Sequence, residues 1–149
     1  MLKHGTTGAD FRACREYCGW PQEAAATSIG VSTHAIKMWE TPKSTWEPRD
    51  NAWPWVDNEL KHHESEVSRI LDVVEDLKTL NPELSEVTLV LFRTNDGLGN
   101  MRGDGRPANV HNAIMRDAWQ YLAEDGITAK FIWAAQYQQE PDKYPDAIW

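Results

Sequence analysis

The sequence predicts an α+β chain: an all-α N-terminal domain, a long linking helix and a small C-terminal strand–helix–strand module. Three observations predict it. Three short helix signals separated by turns fall between Thr6 and Glu40. Apolar residues recur at alternating spacings of three and four from Trp53 to Leu77. Two apolar, β-rich runs bracket an amphipathic stretch between Val87 and Ala135. The expected boundaries are residues 1–50, 51–80 and 81–149.

The first helix starts within Thr6–Asp10, with Thr7 or Asp10 as its cap. Phe11, Cys14 and Cys18 form an apolar stripe that Gly19 closes. Pro21 opens a second helix, Gln22–Ile29, and Gly30 ends it. Ser32 caps a third, which runs through Ile36 and Trp39 to Glu40. Thr41–Trp53, with Ser44, Pro42 and Pro48, reads as a loop. Pro54 fits the first turn of the long helix, where its missing N–H costs nothing. The seam along that helix is Trp53, Val56, Leu60, His63, Val67, Ile70, Val74 and Leu77. A helix lying on its own core and a dimer-forming helix both fit this spacing.

Asn81-Pro82 breaks the long helix. Val87–Arg93 reads as a buried strand, Asn95–Pro107 as a loop, Val110–Leu122 as an amphipathic helix stopped by Gly126, and Ile127–Ala135 as a second strand. The tail after Tyr137 is polar and holds two prolines. Strand, helix, strand in this order suggests a parallel βαβ unit. Two strands make a marginal sheet, so a second copy is expected to complete it, which makes the module a dimerisation element.

The chain has 149 residues, 41% hydrophobic and 26% charged, the composition of a globular protein of one domain or two small ones. No apolar run approaches the ~20 residues of a membrane span and no signal-peptide pattern is present, so a cytoplasmic location is expected. Cys14 and Cys18, four apart on one helix, read as buried thiols of a reducing compartment, and no neighbouring His or Cys completes a zinc site. The net charge of −8 is unevenly placed. Residues 1–50 hold six Lys/Arg and six Asp/Glu, whereas residues 51–149 hold nine and seventeen. The N-terminal part is neutral, and the acidic field elsewhere suppresses nonspecific binding to nucleic acid.

The segment Gln22–Glu40, QEAAATSIGVSTHAIKMWE, meets the packing demands of a helix-turn-helix. Ala26 is small enough for two helices to cross closely. Gly30 permits the left-handed turn between them. Val31, Ile36 and Trp39 are apolar where the third helix must be pinned. Thr33, His34, Lys37 and Met38 are left on its outer face, the geometry that presents a helix to a DNA major groove.

On these residues the chain resembles the Cro and phage-repressor (XRE) family of helix-turn-helix proteins. The likeness covers Asp10 to Lys43 and is carried by Gln22, Ala26, Gly30, Ile36 and the Trp39-Glu40 pair. It implies a DNA-binding domain. Arg15 and Glu40 fall where that family places a buried ion pair that ties the first helix to the third. By resemblance, Gln22 holds a phosphate or base at the edge of a half-site. Ser32, Thr33, His34 and Lys37 face the DNA, the last three toward base edges, and Met38 touches a thymine methyl. Lys43 and Ser44 contact backbone phosphate. The family commonly follows Trp-Glu with a residue and then glycine, where this chain has Thr41-Pro42, so the following loop must turn differently. The whole layout is similar to that of anti-CRISPR-associated regulators, with a further likeness around Val110–Leu122. That resemblance implies dimerisation through the C-terminal part and repression of the protein's own operon at an inverted repeat.

Other features carry less. His62 and His63 point about 100° apart on a helix and cannot chelate together. Arg102-Gly103-Asp104 is an adhesion-like triplet without a secretion signal. The Gly-rich loop lacks the Lys-Ser/Thr of a phosphate loop and the final Glu of a calcium loop. Its neighbourhood holds Arg93, Arg102 and Arg106, an alternative contact for RNA. No nucleophile–base–orienter set and no framed carboxylate pair is legible, so no enzyme, cofactor or metal is expected. The expectation is a sequence-specific transcriptional regulator, an autorepressor that binds double-stranded DNA as a homodimer and has no membrane partner. The alternatives are an antitoxin-like or adaptor module that uses the fold for protein interaction, motivated by the acidic half, and a dual DNA and RNA binder.

Overall fold

A computed structural model describes residues 2–149, apart from the side chains at 99 and 100. Among the described residues, seven α-helices accompany a two-stranded parallel sheet, so the chain is α+β as expected. The order is α1 (Gly8–Tyr17), α2 (Gln22–Ile29), α3 (Thr33–Trp39), α4 (Ala52–Leu80), β1 (Glu86–Leu91), α5 (Asn95–Met101), α6 (Ala108–Glu124), β2 (Thr128–Trp133) and α7 (Ala134–Gln139), then a 3-10 turn at Pro141–Lys143. The chain divides into two compact units, Met1–Glu64 and Ser65–Trp149. None of the helices among the described residues is long and apolar enough to cross a membrane.

In the first unit, α1 begins with a reciprocal capping box. The Asp10 amide donates to Thr7 Oγ1 at 3.1 Å, and the Thr7 amide donates to the Asp10 carboxylate at 2.9 Å. That bond from Thr7 holds the Asp10 carboxyl below the usual carboxylate range. The core is aromatic. Phe11 meets Trp39 edge-on at 5.3 Å and lies 6.1 Å from Trp55, while Trp20 meets Trp55 edge-on at 5.2 Å. Gly8 is required by a close approach: a Cβ there would stand 1.8 Å from the Trp39 carbonyl oxygen. Neither Cys14 nor Cys18 is in a disulfide. Cys18 is buried, but Cys14 is only half-buried, because it lies at the margin of the stripe. Burial still raises the Cys14 thiol pKa, which keeps it protonated and unreactive.

The first half of α4 belongs to this unit. Val56, Leu60 and His63 are buried, with His63 against the Tyr17 ring at 4.6 Å. Glu59 is buried too and accepts from Trp20 Nε1 at 3.2 Å. Farther along the seam Val67, Ile70 and Val74 are buried as well. Six of the eight seam residues are thus buried within a single chain, while Trp53 and Leu77 are half-buried.

In the second unit β1 and β2 pair in parallel, from Glu86 opposite Thr128 to Leu91 opposite Trp133. α6 connects back to β2 and buries Val110, Ile114, Met115, Ala118 and Leu122. The strand read over Val87–Arg93 runs from Glu86 to Leu91 because Asn112 captures the next residue. The Phe92 amide donates to Asn112 Oδ1 at 3.0 Å, and Asn112 Nδ2 donates to the Phe92 carbonyl at 2.8 Å. The side-chain amide thereby replaces a neighbouring strand.

Three expectations need correction. Asn95–Pro107 is not loop throughout: α5 occupies its first half. Thr94 caps it by accepting from the Gly97 amide at 3.1 Å, and Leu98 is buried in a cluster with Val90, Phe92, Ala108 and Ala134. Burial of one leucine outweighs the low helix propensity of the two glycines. The second strand stops at Trp133, since Ala134 and Ala135 open α7. There the Gln136 side chain accepts from the Trp133 amide at 2.8 Å. The polar tail is also pinned. Ile148 donates to the Thr88 carbonyl at 2.9 Å and accepts from the Val90 amide at 2.8 Å, forming a parallel bridge at Leu89. The chain's own tail therefore occupies part of the far edge of β1. Arg69 reinforces the arrangement: its Nη2 donates to the Trp149 carbonyl at 3.0 Å and its Nε to Glu66 at 2.6 Å.

His111, beside Asn112 on α6, is 5% exposed and donates from Nε2 to the Val90 carbonyl at 2.9 Å. Burial pushes its pKa down to about 4, helped by the charges of Arg102 and Arg69. The folded chain keeps this imidazole neutral while the unfolded chain takes up a proton as pH falls below the ordinary 6.5. Stability from this group is therefore complete above that value and declines down to about pH 4. The loss reaches about 3 kcal/mol. Urea denaturation across this range is expected to show the decline, and H111Q, which can still donate to Val90, is expected to flatten it. An equal decline in H111Q would contradict the assignment.

Candidate functional site

The site is built on the turn between α2 and α3. Gly30 ends α2 in the left-handed conformation, φ 89° and ψ 33°, and both its amide and that of Val31 donate to the Ala26 carbonyl. Ser32 follows in extended conformation and accepts from the Ala35 amide at 3.0 Å, so its hydroxyl caps α3. Ala25 and Ala26 are buried, as are Ala35, Ile36 and Trp39. One side of α3 is thereby held against the unit's core. The other side carries His34 and Lys37, both exposed, with Thr33 and Met38 half-buried at its margins.

The end of α3 is fixed by charge. Arg15 grips Glu40 through two parallel bonds, Nε to Oε2 at 2.7 Å and Nη2 to Oε1 at 2.7 Å. The two side chains are only 8% and 3% exposed, so water screens the pair little. The remaining guanidinium nitrogen Nη1 donates to the Trp20 carbonyl at 2.8 Å, and Gln22 Nε2 donates to Glu40 Oε1 at 3.1 Å. The buried carboxylate therefore accepts three bonds, and α1, α2 and the C-terminal end of α3 meet on it.

The placement of Gln22 bears on its expected role. Its amide nitrogen is held by the clamp, which leaves the carbonyl end of the side chain to meet anything outside. Ser32 and Ser44 likewise have structural partners. Ser44 Oγ accepts from the Trp46 amide at 3.0 Å, and the Ser44 amide donates to the Thr41 carbonyl at 3.0 Å. Lys43 is exposed in the same loop. Among the described residues neither Lys37 nor Lys43 is paired with a carboxylate, so both cations are available to a polyanion. Thr41 Oγ1 donates to the Lys37 carbonyl at 2.6 Å, which folds the loop back on α3 where Pro42 stands in place of a glycine turn.

Trp46 is a residue the sequence did not single out. Its ring meets His34 edge-on at 5.6 Å and is 48% exposed, unlike Trp20 and Trp39, which are almost fully buried. The loop's far end is tied down by Asn51, which donates to the Ile29 carbonyl at 3.5 Å, and by Trp55, which donates to Ser28 at 2.9 Å.

The alternative cation group of the second unit is differently placed. Arg102 is bonded to Glu66, Arg106 lies 4.0 Å from Asp104, and Arg93 stacks over Trp133 at 5.8 Å. Each has an intramolecular partner. Among the described residues no group of three or more His, Cys, Asp or Glu is arranged to hold a metal ion.

Breaking a buried pair by removing one partner typically costs about 3–5 kcal/mol. Arg15→Ala and Glu40→Ala are each expected to lose that much in urea denaturation followed by tryptophan fluorescence. The double variant is expected to lose less than the sum, because neither charge is then left buried alone. Single losses below about 1 kcal/mol, the range of a surface ion pair, would contradict a buried clamp.

Compared with known proteins, the chain matches no protein-family model and no curated protein. The functional reading rests on the site's own residues.

Proposed function

We propose that the chain is a sequence-specific DNA-binding regulator of transcription, in which α2 and α3 act as a helix-turn-helix and α3 reads base edges in the major groove. The observation that carries this reading is the two-sidedness of α3. Ala35, Ile36 and Trp39 lock one side into the core, while His34 and Lys37 stand exposed on the other with no partner carboxylate among the described residues. The Arg15–Glu40 clamp keeps that orientation rigid. Rigid presentation matters because base readout depends on direction as well as on charge. In this reading Thr33, His34 and Lys37 face base edges, Met38 a thymine methyl, and Lys43 a phosphate. Ser32 and Ser44 shape the turn and the loop, and Gln22 joins clamp and interface.

A homodimer that places two such helices about 34 Å apart would read an inverted repeat, and the regulator is then an autorepressor of its own operon. Most of the α4 seam is buried within one chain, and the second unit's exposed aromatics, Trp119, Tyr121 and Trp133, offer apolar surface for association. The same aromatics and the net charge of −8 support a second reading, a protein-interaction module of adaptor or antitoxin type. The neutral balance of residues 1–50 supports the DNA reading, since attraction is not opposed where contact is made.

Selection from a randomised double-stranded DNA pool, followed by fluorescence anisotropy at several salt concentrations, is expected to recover a preferred duplex. H34A and K37A are expected to relax preference by about 1–3 kcal/mol at individual base pairs without unfolding the chain. K37A should also leave a salt dependence no steeper than that of the parent. Absence of preference at every salt concentration, together with capture of a basic protein partner, would replace the DNA reading with the interaction module.

A further inference from the structure

Trp46 has no role in the core. It is 48% exposed, in a loop, and its ring contacts His34 on the free side of α3. The loop is built to hold it there. Thr41 bonds the Lys37 carbonyl, Ser44 bonds Thr41, and the Trp46 amide bonds the Ser44 hydroxyl, at 2.6, 3.0 and 3.0 Å. Pro42 and Pro48 restrict the backbone on either side. A large apolar ring left half in water gains apolar burial when a partner covers it. An exposed imidazole, in turn, samples several rotamers, and a base-edge hydrogen bond needs one of them. The edge-to-face arrangement, with planes at 85°, is one that aromatic pairs prefer and restricts the His34 ring.

We infer that Trp46 is a specificity-determining residue of the DNA interface: its indole orients the His34 imidazole toward a base edge and is itself covered when the duplex binds. This rests on the regulator reading and adds to it a positioning residue outside the two reading helices. Lys43, exposed in the same loop, brings a cation close enough in sequence to seat the loop on a phosphate.

The test uses the full chain and the duplex recovered from the randomised pool, with its single base-pair variants. W46A is expected to lower discrimination at the same base pair as H34A, by roughly tenfold, beyond a loss of affinity from the missing indole contact that falls on every duplex alike. The double variant H34A/W46A is expected to lose no more discrimination at that base pair than H34A alone, because the tryptophan sets specificity through the histidine. W46F, which keeps an aromatic edge partner, is expected to restore most of the discrimination, and serves if W46A does not fold. In the absence of DNA, NMR should show the His34 ring protons displaced by the indole ring current and returning toward ordinary positions in W46A. W46A discrimination equal to that of the parent, or additive losses in the double variant, would overturn the inference while leaving the regulator reading standing. A parent protein that selects no duplex would overturn both, even with the His34 ring shift intact.

Discussion

The guanidinium of Arg15 and the carboxylate of Glu40 stand 25 residues apart in sequence and meet through two parallel bonds of 2.7 Å in a nearly water-free site. Everything proposed for α3 depends on that contact. A seven-residue helix has little stability of its own, since helix nucleation is costly and few turns follow to offset it. Its persistence and its direction must come from packing. Ile36 and Trp39 supply the apolar part, and the clamp supplies the part that has direction. Gly8 adds a steric limit, because α1 approaches the Trp39 carbonyl so closely that no side chain fits. Together these constraints leave α3 one orientation, and that orientation puts His34 and Lys37 outward.

Charge acts on the same site in two ways. The acids of residues 51–149 produce a net repulsion from polyanions, and several cations there are held internally, Arg69 and Arg102 on Glu66 and Lys130 on Glu86. The first fifty residues are neutral, with Lys37 exposed on the free side of α3 and Lys43 exposed in the loop that follows it. A protein so arranged gains little from indiscriminate attraction to phosphate. In the proposed DNA reading, affinity comes from directed contacts, which favours selectivity over strength.

Much of the first unit was legible because its signals are local. Thr7 and Ser32 are caps, Gly30 is a left-handed stop, and Ala26, Ile36 and Trp39 sit at offsets that packing dictates. The parallel pairing of β1 and β2 followed from strand order. The features that escaped are bonds between side chains and distant backbone, which have no period. Asn112 ends β1 from 20 residues away. Asn95 accepts from the Ala108 amide across 13 residues and sets the start of α6. Ile148 covers the edge of β1 from within a polar tail whose composition suggested no structure. Trp46 was hidden for the opposite reason. In a chain with eight tryptophans, an exposed one is indistinguishable from a core residue until its neighbours are known. Gln22 was assigned outward by resemblance, whereas its amide nitrogen turns inward to Glu40.

A DNA interface centred on α3 is tested most directly by backbone NMR of the full chain during titration with the selected duplex. Changes concentrated at Thr33, His34, Lys37, Met38 and residues 43–46, with smaller ones at the buried Ala35 and Ile36, are the predicted result. Changes confined to residues 65–149, with the amides of α3 undisturbed at saturation, would contradict it.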